Sequence, residues 1–241
     1  MPDHHYENAK LAEIYDLDSP WSIDRDFYLL LAGPTVHKVL DLGCGTGLLC
    51  NAYAGKNCDV TGVDPSAAML EIARRKPNGK NIEWVQSTAQ KYLSLKRFDL
   101  IIMTGHAFQV LLGDADVLAA FHTMRHHLNS GGLIAFESRN PLIDWRSNWN
   151  YEMQIDLPGR VVIESRRFIA MQDGRMTFEI EYKFPDQTLI SESELRFWSR
   201  EEIEERMKAS GLRLEKLLGD WQQNAFEEDS QEMIFLARAS E

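Results

Sequence analysis

The sequence predicts an α/β protein with a doubly wound, mostly parallel seven-stranded sheet and an inserted antiparallel β cap. Three observations carry that expectation. Short apolar runs alternate with amphipathic helical patterns through residue 138. A glycine cluster follows the first apolar run directly. Beyond residue 138 the alternation stops, and hairpin signals replace it until a helical pattern returns at Ser199.

Val36 to Leu42 is a short apolar run ending at glycines, as a buried parallel strand should. Residues 47–54 read as a helix. Asp59 to Asp64 reads as a second strand, and Pro65-Ser66 opens a helix carrying Ala67, Ala68, Leu70, Ile72 and Ala73. Ile82 to Gln86 and Phe98 to Met103 are the third and fourth strands. Residues 114–128 repeat Val117, Leu118, Phe121, Met124 and Leu128 at helical spacing. Ser130-Gly131-Gly132 is expected to end that helix before a fifth strand, Leu133 to Glu137.

Residues 139–158 show no clean period, and Arg160 to Trp198 reads as three strands. Asp173-Gly174 forms a hairpin turn, and Pro185-Asp186 marks the next corner. Ser199 is an N-cap followed by Glu201 and Glu202, and Gly211 closes that helix. Strands near 212–219 and 232–238 complete the pattern. The expected division is therefore 1–138 plus 199–241 for the α/β domain, and 139–198 for the cap.

The 241 residues carry 37 acidic against 26 basic side chains, a formal net charge of −11. Such a balance counts against DNA or RNA as partner, because nucleic-acid binding draws on Lys and Arg displacing counterions. No run approaches the ~18 apolar residues of a membrane span, and the start Met1-Pro2-Asp3-His4-His5 shows no secretion signal. Cys44, Cys50 and Cys58 form no C-x-x-C pair, so reduced thiols, a cytoplasmic setting and no metal site are expected.

The informative segment is Val39-Leu40-Asp41-Leu42-Gly43-Cys44-Gly45-Thr46-Gly47. Its G-x-G-x-G spacing, after a strand and before a helix, lets backbone approach a ligand at the carboxyl edge of the sheet. A dinucleotide fingerprint needs a sixth-position glycine, where Leu48 stands, and a P-loop needs a terminal Gly-Lys-Ser/Thr, which is absent. Seventeen residues after Gly47 the second strand ends in Asp64, whose carboxylate can accept both hydroxyls of a ribose.

In these segments the chain resembles the class I methyltransferases that use S-adenosylmethionine (SAM). VLDLGCGTG at 39–47 is similar to their first motif, and VTGVDPSAAML at 60–70 to their second. FDLIIM at 98–103 and the Gly131-Gly132 turn are similar to their later elements. The resemblance covers roughly residues 36–138 and 199–239. It implies a Rossmann-like fold with SAM as cofactor: Asp41, Gly43, Cys44, Gly45, Thr46 and Gly47 around the methionine end, Asp64 on the ribose, and Thr88, Ala89 and Gln90 along the adenine. Pro65, Met69 and Thr104 complete the implied cofactor set. Many family members carry an acidic residue at the position of Thr88, and a hydroxyl accepts more weakly from the adenine amino group. The segment with Tyr15, Asp16 and Trp21 to Tyr28 resembles the helical lid that precedes the first motif.

The acceptor belongs outside the carboxyl ends of the strands, beside the cofactor. The fourth strand leads into Thr104-Gly105-His106-Ala107-Phe108-Gln109, where His106 can serve as base or substrate contact, or can cap and pack the next helix. His122, His126 and His127 are expected on the surface. Arg139, after the fifth strand, can pair with an acidic substrate group or fix its loop. Tyr28, Gln109, Trp145 and Trp149 complete the candidate substrate contacts; the two tryptophans, with Tyr151, can wall a pocket or pack the cap. By fold-level analogy to small-molecule methyltransferases the cap covers the substrate site or forms a homodimer.

The function expected is methyl transfer from SAM to an N or O atom of a small molecule. The alternatives are a SAM-binding or interaction protein without turnover, and a protein or RNA methyltransferase. The Asp/Asn-Pro-Pro-aromatic motif of DNA amino methyltransferases is absent after the fourth strand, where Met103-Thr104-Gly105-His106 stands.

Overall fold

A computed structural model describes residues 4–240, so the first three residues, Met1 to Asp3, fall outside the description. Eleven strands form two sheets among the described residues. The larger sheet has seven strands. Five are parallel: β1 (Lys38–Leu42), β2 (Asp59–Asp64), β3 (Glu83–Gln86), β4 (Phe98–Met103) and β5 (Leu128–Arg139). β11 (Glu232–Ala239) runs antiparallel between β5 and β10 (Leu212–Leu218). The order β10-β11-β5-β4-β1-β2-β3 reverses direction between β1 and β4, which opens a crevice beyond the carboxyl ends of those two strands.

Strand alternation sends neighbouring residues to opposite helix layers. Leu40, Leu42, Ile101 and Met103 meet Phe121 and Met124 of α6 (Asp114–His127) and Ile203 and Met207 of α7 (Arg200–Ala209). Val39, Val60, Leu100 and Ile102 meet Phe27 and Tyr28 of α3 (Ile23–Leu31) and Leu49 and Tyr53 of α4 (Leu48–Gly55) on the other face. Near-complete burial of both layers is why these strands read as continuous apolar runs. Ser199 caps α7 in a capping box with Glu202, and Gly211 follows with φ +73°.

The second sheet is an antiparallel meander of β6 (Tyr151–Leu157), β7 (Arg160–Gln172), β8 (Arg175–Lys183) and β9 (Thr188–Arg196). Its apolar face packs on Trp145, Trp149 and Phe197, with Leu11 and Ile14 of α2 (Ala9–Asp18) closing the cluster. Asp173 and Gly174 both take positive φ, as the β7–β8 hairpin requires.

Three details depart from the sequence expectation. The cap has four strands where three are expected: within the segment read as having no clean period, Tyr151, Met153, Ile155 and Leu157 alternate with Glu152, Gln154 and Asp156 through the edge strand β6, and Met153, Ile155 and Leu157 face the cap core. Residues Ser130 to Gly132 do not terminate α6; the helix stops at His127, and the glycines lie within β5. Leu128 there already pairs with Phe98, and the register shifts before Leu100 pairs Leu133. His127 is buried, not on the surface: Nδ1 donates to the Thr123 carbonyl at 2.8 Å, and Nε2 accepts from Ser94 N–H at 3.1 Å.

Candidate active site

A cavity of about 810 Å3 occupies the crevice. Its floor is the carboxyl edge of the parallel sheet, one wall is the N-terminal helices, and the cap forms the roof. Of the candidate cofactor residues, Gly43, Gly45, Asp64, Pro65, Met69, Thr88, Ala89, Gln90 and Thr104 line it. Asp41, Cys44, Thr46 and Gly47 stand one layer behind, outside the lining.

The glycine loop is held from two sides. Gly47 has φ +71° and starts α4, and a Cβ there would meet the Trp84 ring at 2.4 Å. Thr46 donates its hydroxyl to Asp16 of α2, and Lys76 pairs with the same carboxylate. Gly45 N–H donates to Asp64 Oδ2 at 2.9 Å, and Ser66 N–H donates to Oδ1 at 2.8 Å. Burial pushes the Asp64 carboxyl above its ordinary value, and those two N–H groups work against the rise. A carboxylate anchored in this way keeps further lone pairs for hydroxyl donors from the cavity.

Asp41 is 2% exposed, accepts a hydrogen bond from the Cys50 thiol at 3.3 Å and leaves Oδ1 without a partner. Burial raises its pKa to about 7. Gln90 Nε2 donates to Asp116 Oδ1 at 3.1 Å, which brings a carboxylate from α6 to the cavity beside Thr88.

His106 lines the cavity at the end of β4 with φ +59°. Its backbone N–H donates to Glu137 Oε1 at 2.6 Å, and the other oxygen of Glu137 accepts from the Tyr28 hydroxyl. Its ring Nε2 lies 2.9 Å from Glu232 Oε2 and 3.1 Å from Oε1. A carboxylate accepts, so Nε2 carries the hydrogen, and in the neutral ring Nδ1 holds the lone pair.

The candidate substrate residues separate into two groups. Arg139 and Trp149 line the cavity. Tyr28, Gln109 and Trp145 do not. Tyr28 is fully buried against Phe27 and Trp221, where α3 packs on the sheet. Gln109 is fully buried between Arg196 O and Arg139 Nη1. Trp145 belongs to the cap core, its Nε1 donating to Asn140 O at 2.7 Å.

Several lining residues lie outside the candidate site set: Asp18 and Arg166 carry no signal in the sequence, while Tyr15 and Arg25 fall in the segments that resemble a lid. From α2 come Tyr15 and Asp18, from α3 Arg25, and from β7 Arg166. Arg25 donates to Ser19 Oγ and Ser22 Oγ, each at 2.9 Å. Arg166 Nε donates to Glu164 at 2.6 Å, and Tyr182 donates to Asp18 at 3.2 Å. Glu164 and Asp18 each keep one buried oxygen without a partner, and burial, with Asp18 adding to it, raises Glu164 to about 8. Only the fold joins these segments; Asp18 and Tyr182 lie 164 positions apart. The described residues contain no group of three or more side chains suited to a metal, and no helix long and apolar enough to cross a membrane.

Residues 39–132 match the family described as "Methyltransferase domain". The chain is 34% identical over 116 residues to a ubiquinone biosynthesis O-methyltransferase of Histophilus somni, covering 45% of this chain and 47% of that one. It spans about half the length of the first curated relatives it matches. Over 96% of this chain and 98% of the other, the fold matches a SAM-dependent methyltransferase of Clostridium acetobutylicum with TM-score 0.80 at 20% identity. It also matches the SAM-bound amino pentose methyltransferase CalS10 of Micromonospora echinaspora, with TM-score 0.72 at 20% identity over 95% and 96% of the two chains. Residues 39–132 are therefore similar to a methyltransferase domain, and the chain shares the Rossmann-like fold of these solved methyltransferases.

Proposed function

We propose that the protein is a SAM-dependent methyltransferase that transfers a methyl group to an N or O atom of a small molecule. The observation that carries this reading is Asp64: a buried carboxylate at the end of β2, anchored by two backbone N–H groups and open to a cavity beside the glycine loop. It suits the paired hydroxyls of a ribose. Gly43 and Gly45 suit the methionine end, where Arg25 supplies a cation for the carboxylate. Thr88, Ala89 and Gln90 suit the adenine, with Asp116 supplying the carboxylate that Thr88 lacks. The curated relatives named as O-methyltransferases and the structural neighbours named as sugar N-methyltransferases support either acceptor atom.

The sulfonium of SAM makes its methyl electrophilic without help from the protein. Catalysis then consists of aligning nucleophile, methyl and sulfur in line, and of excluding water. The acceptor loses a proton during or after attack, and Nδ1 of His106, with Nε2 directed to Glu232, suits that role. The cap, residues 139–198, covers the acceptor side. Exposed Val161, Ile169 and Ile190 on its strands support pairing of two copies there. The acidic charge supports an acceptor other than DNA or membrane, and three unpaired thiols support a cytoplasmic setting.

The test is incorporation of labelled methyl from SAM into a panel of small amines, hydroxyl compounds and amino sugars. Incorporation by the wild-type protein and its loss in Asp64→Ala supports the reading. Saturable SAM binding with no transfer to any acceptor, macromolecules included, replaces it with the non-catalytic alternative.

A further inference from the structure

Among the described residues Arg139 makes no ion pair, although Glu232 of β11 sits opposite it across the sheet. Arg139 ends β5 at the cavity edge, and the carboxylates around it are engaged elsewhere. Glu232 faces His106, Glu137 holds the His106 N–H and the Tyr28 hydroxyl, and Asp18 and Glu164 face Arg166. Its hydrogen bond runs from Nη1 to Gln109 Oε1 at 2.9 Å, whereas a guanidinium has five N–H donors. Burial lowers its pKa to about 10, which still leaves it charged at neutral pH. A charge withdrawn from water is costly unless a partner compensates it, and Arg139 is half-buried at the cavity.

The group is also held rigidly. Its guanidinium lies 4.8 Å from the Trp149 ring and 5.6 Å from the Trp145 ring. Gln109 is tied to Arg196 O, and Trp145 to Asn140 O. Stacking and these ties fix the plane of the fork, a geometry suited to two parallel hydrogen bonds with an oxyanion. Trp149, Tyr151, Phe178 and Ile180 line the same cavity and offer apolar contact to the rest of an organic molecule. The loop after β4 that carries His106 and the end of β5 that carries Arg139 are neighbours in the sheet, and both residues line the same cavity.

We propose that Arg139 is the docking point for an anionic oxyacid group on the methyl acceptor, a carboxylate or a phosphate. The acceptor is then an acidic small molecule with an N or O nucleophile. As a statement about the acceptor, this rests on the methyltransferase reading; as a statement about an anion site, it is testable alone.

The test is calorimetric titration of the full chain with benzoate, phenyl phosphate and the uncharged analogue benzamide, with and without S-adenosylhomocysteine (SAH). The wild type should hold one of the anions at least about tenfold tighter than benzamide, and the tighter of the two identifies carboxylate or phosphate. Arg139→Gln should erase that preference while keeping the affinity for SAH. Gln109→Glu lays a carboxylate on the guanidinium and should erase the preference with Arg139 still in place, so the test does not depend on one variant folding. Equal binding of all three probes, no binding of either anion, or a preference that survives Arg139→Gln overturns the proposal. A parallel loss of SAH affinity in Arg139→Gln overturns it too, because Arg139 would then serve the cofactor. Anion preference in a protein that never binds SAH removes the methyltransferase reading and leaves the anion site standing.

Discussion

The two ends of the cavity are built by different means. The proposed cofactor end is built mainly from three segments close in sequence: a glycine loop after β1, a carboxylate on β2 and a short segment after β3, within residues 39–90. Its polar contacts are mainly backbone N–H groups and one anchored carboxylate. The cap end is made of side chains from distant segments, with Asp18 of α2 and Tyr182 of β8 meeting Glu164 and Arg166 of β7. Backbone geometry tied to a strand–loop–helix unit leaves a readable pattern of glycines. A cluster assembled by tertiary packing leaves none. The difference also predicts separable behaviour: changes at one end should alter cofactor affinity, and changes at the other should alter stability and acceptor binding.

The largest effect is expected where the two ends meet. His106→Ala should lower the transfer rate at saturating SAM by about 10²-fold while SAM affinity stays nearly constant. A fall in thermal stability with an unchanged rate would instead make His106 a packing residue of the β4 end. At the cofactor end, Asp64→Ala should weaken SAM binding by about 1–3 kcal/mol through lost hydrogen bonds to the ribose. Binding of the acidic acceptor should be unaffected, and parallel weakening of both would erase the distinction between the ends.

Asp41 gives a pH test. Its folded pKa of about 7 lies above the unfolded value of about 4, so the native state holds a proton that the unfolded chain has lost. The Asp41 contribution to the stability of the ligand-free protein should therefore fall as pH rises from about 4 to 7, then level off. Asp41→Asn should remove that slope and raise Tm by a few degrees at pH 8, with little gain near pH 4. An unchanged pH profile would contradict a buried, proton-holding Asp41. The smallest effect belongs to the cap end. Tyr182→Phe removes the hydrogen bond to Asp18 and should cost about 0.5–1.5 kcal/mol in denaturant unfolding, with SAM affinity unaltered.

The same contrast explains how much was legible in the sequence. The strands β1, β2 and β4 are buried on both faces, so their apolar runs stand out between glycine and proline signals. The edge strand β6 alternates apolar and polar residues over only seven positions and buries Ile155 alone, so its short period is lost beside the irregular residues 139–150 that precede it. Among site residues, the glycine loop and Asp64 declare themselves by spacing. Glu232 does not, because its role depends on β11 lying antiparallel to β5, which brings it near His106 from 126 positions away. Tyr28 of α3 and Gln109 in the segment after β4 are polar candidates for the site, yet each is turned into the interior by its own hydrogen bonds. Position along the chain locates a strand end, but the rotamer and its partners decide which side chains reach the cavity.

The measurement closest to the central claim is calorimetric titration with SAM and with SAH, for wild type and Asp64→Ala. Micromolar binding of both by the wild type, weakened at least about tenfold by the substitution, is the predicted result. No binding by the wild type, or equal affinity in the two proteins, would contradict a cofactor site centred on Asp64.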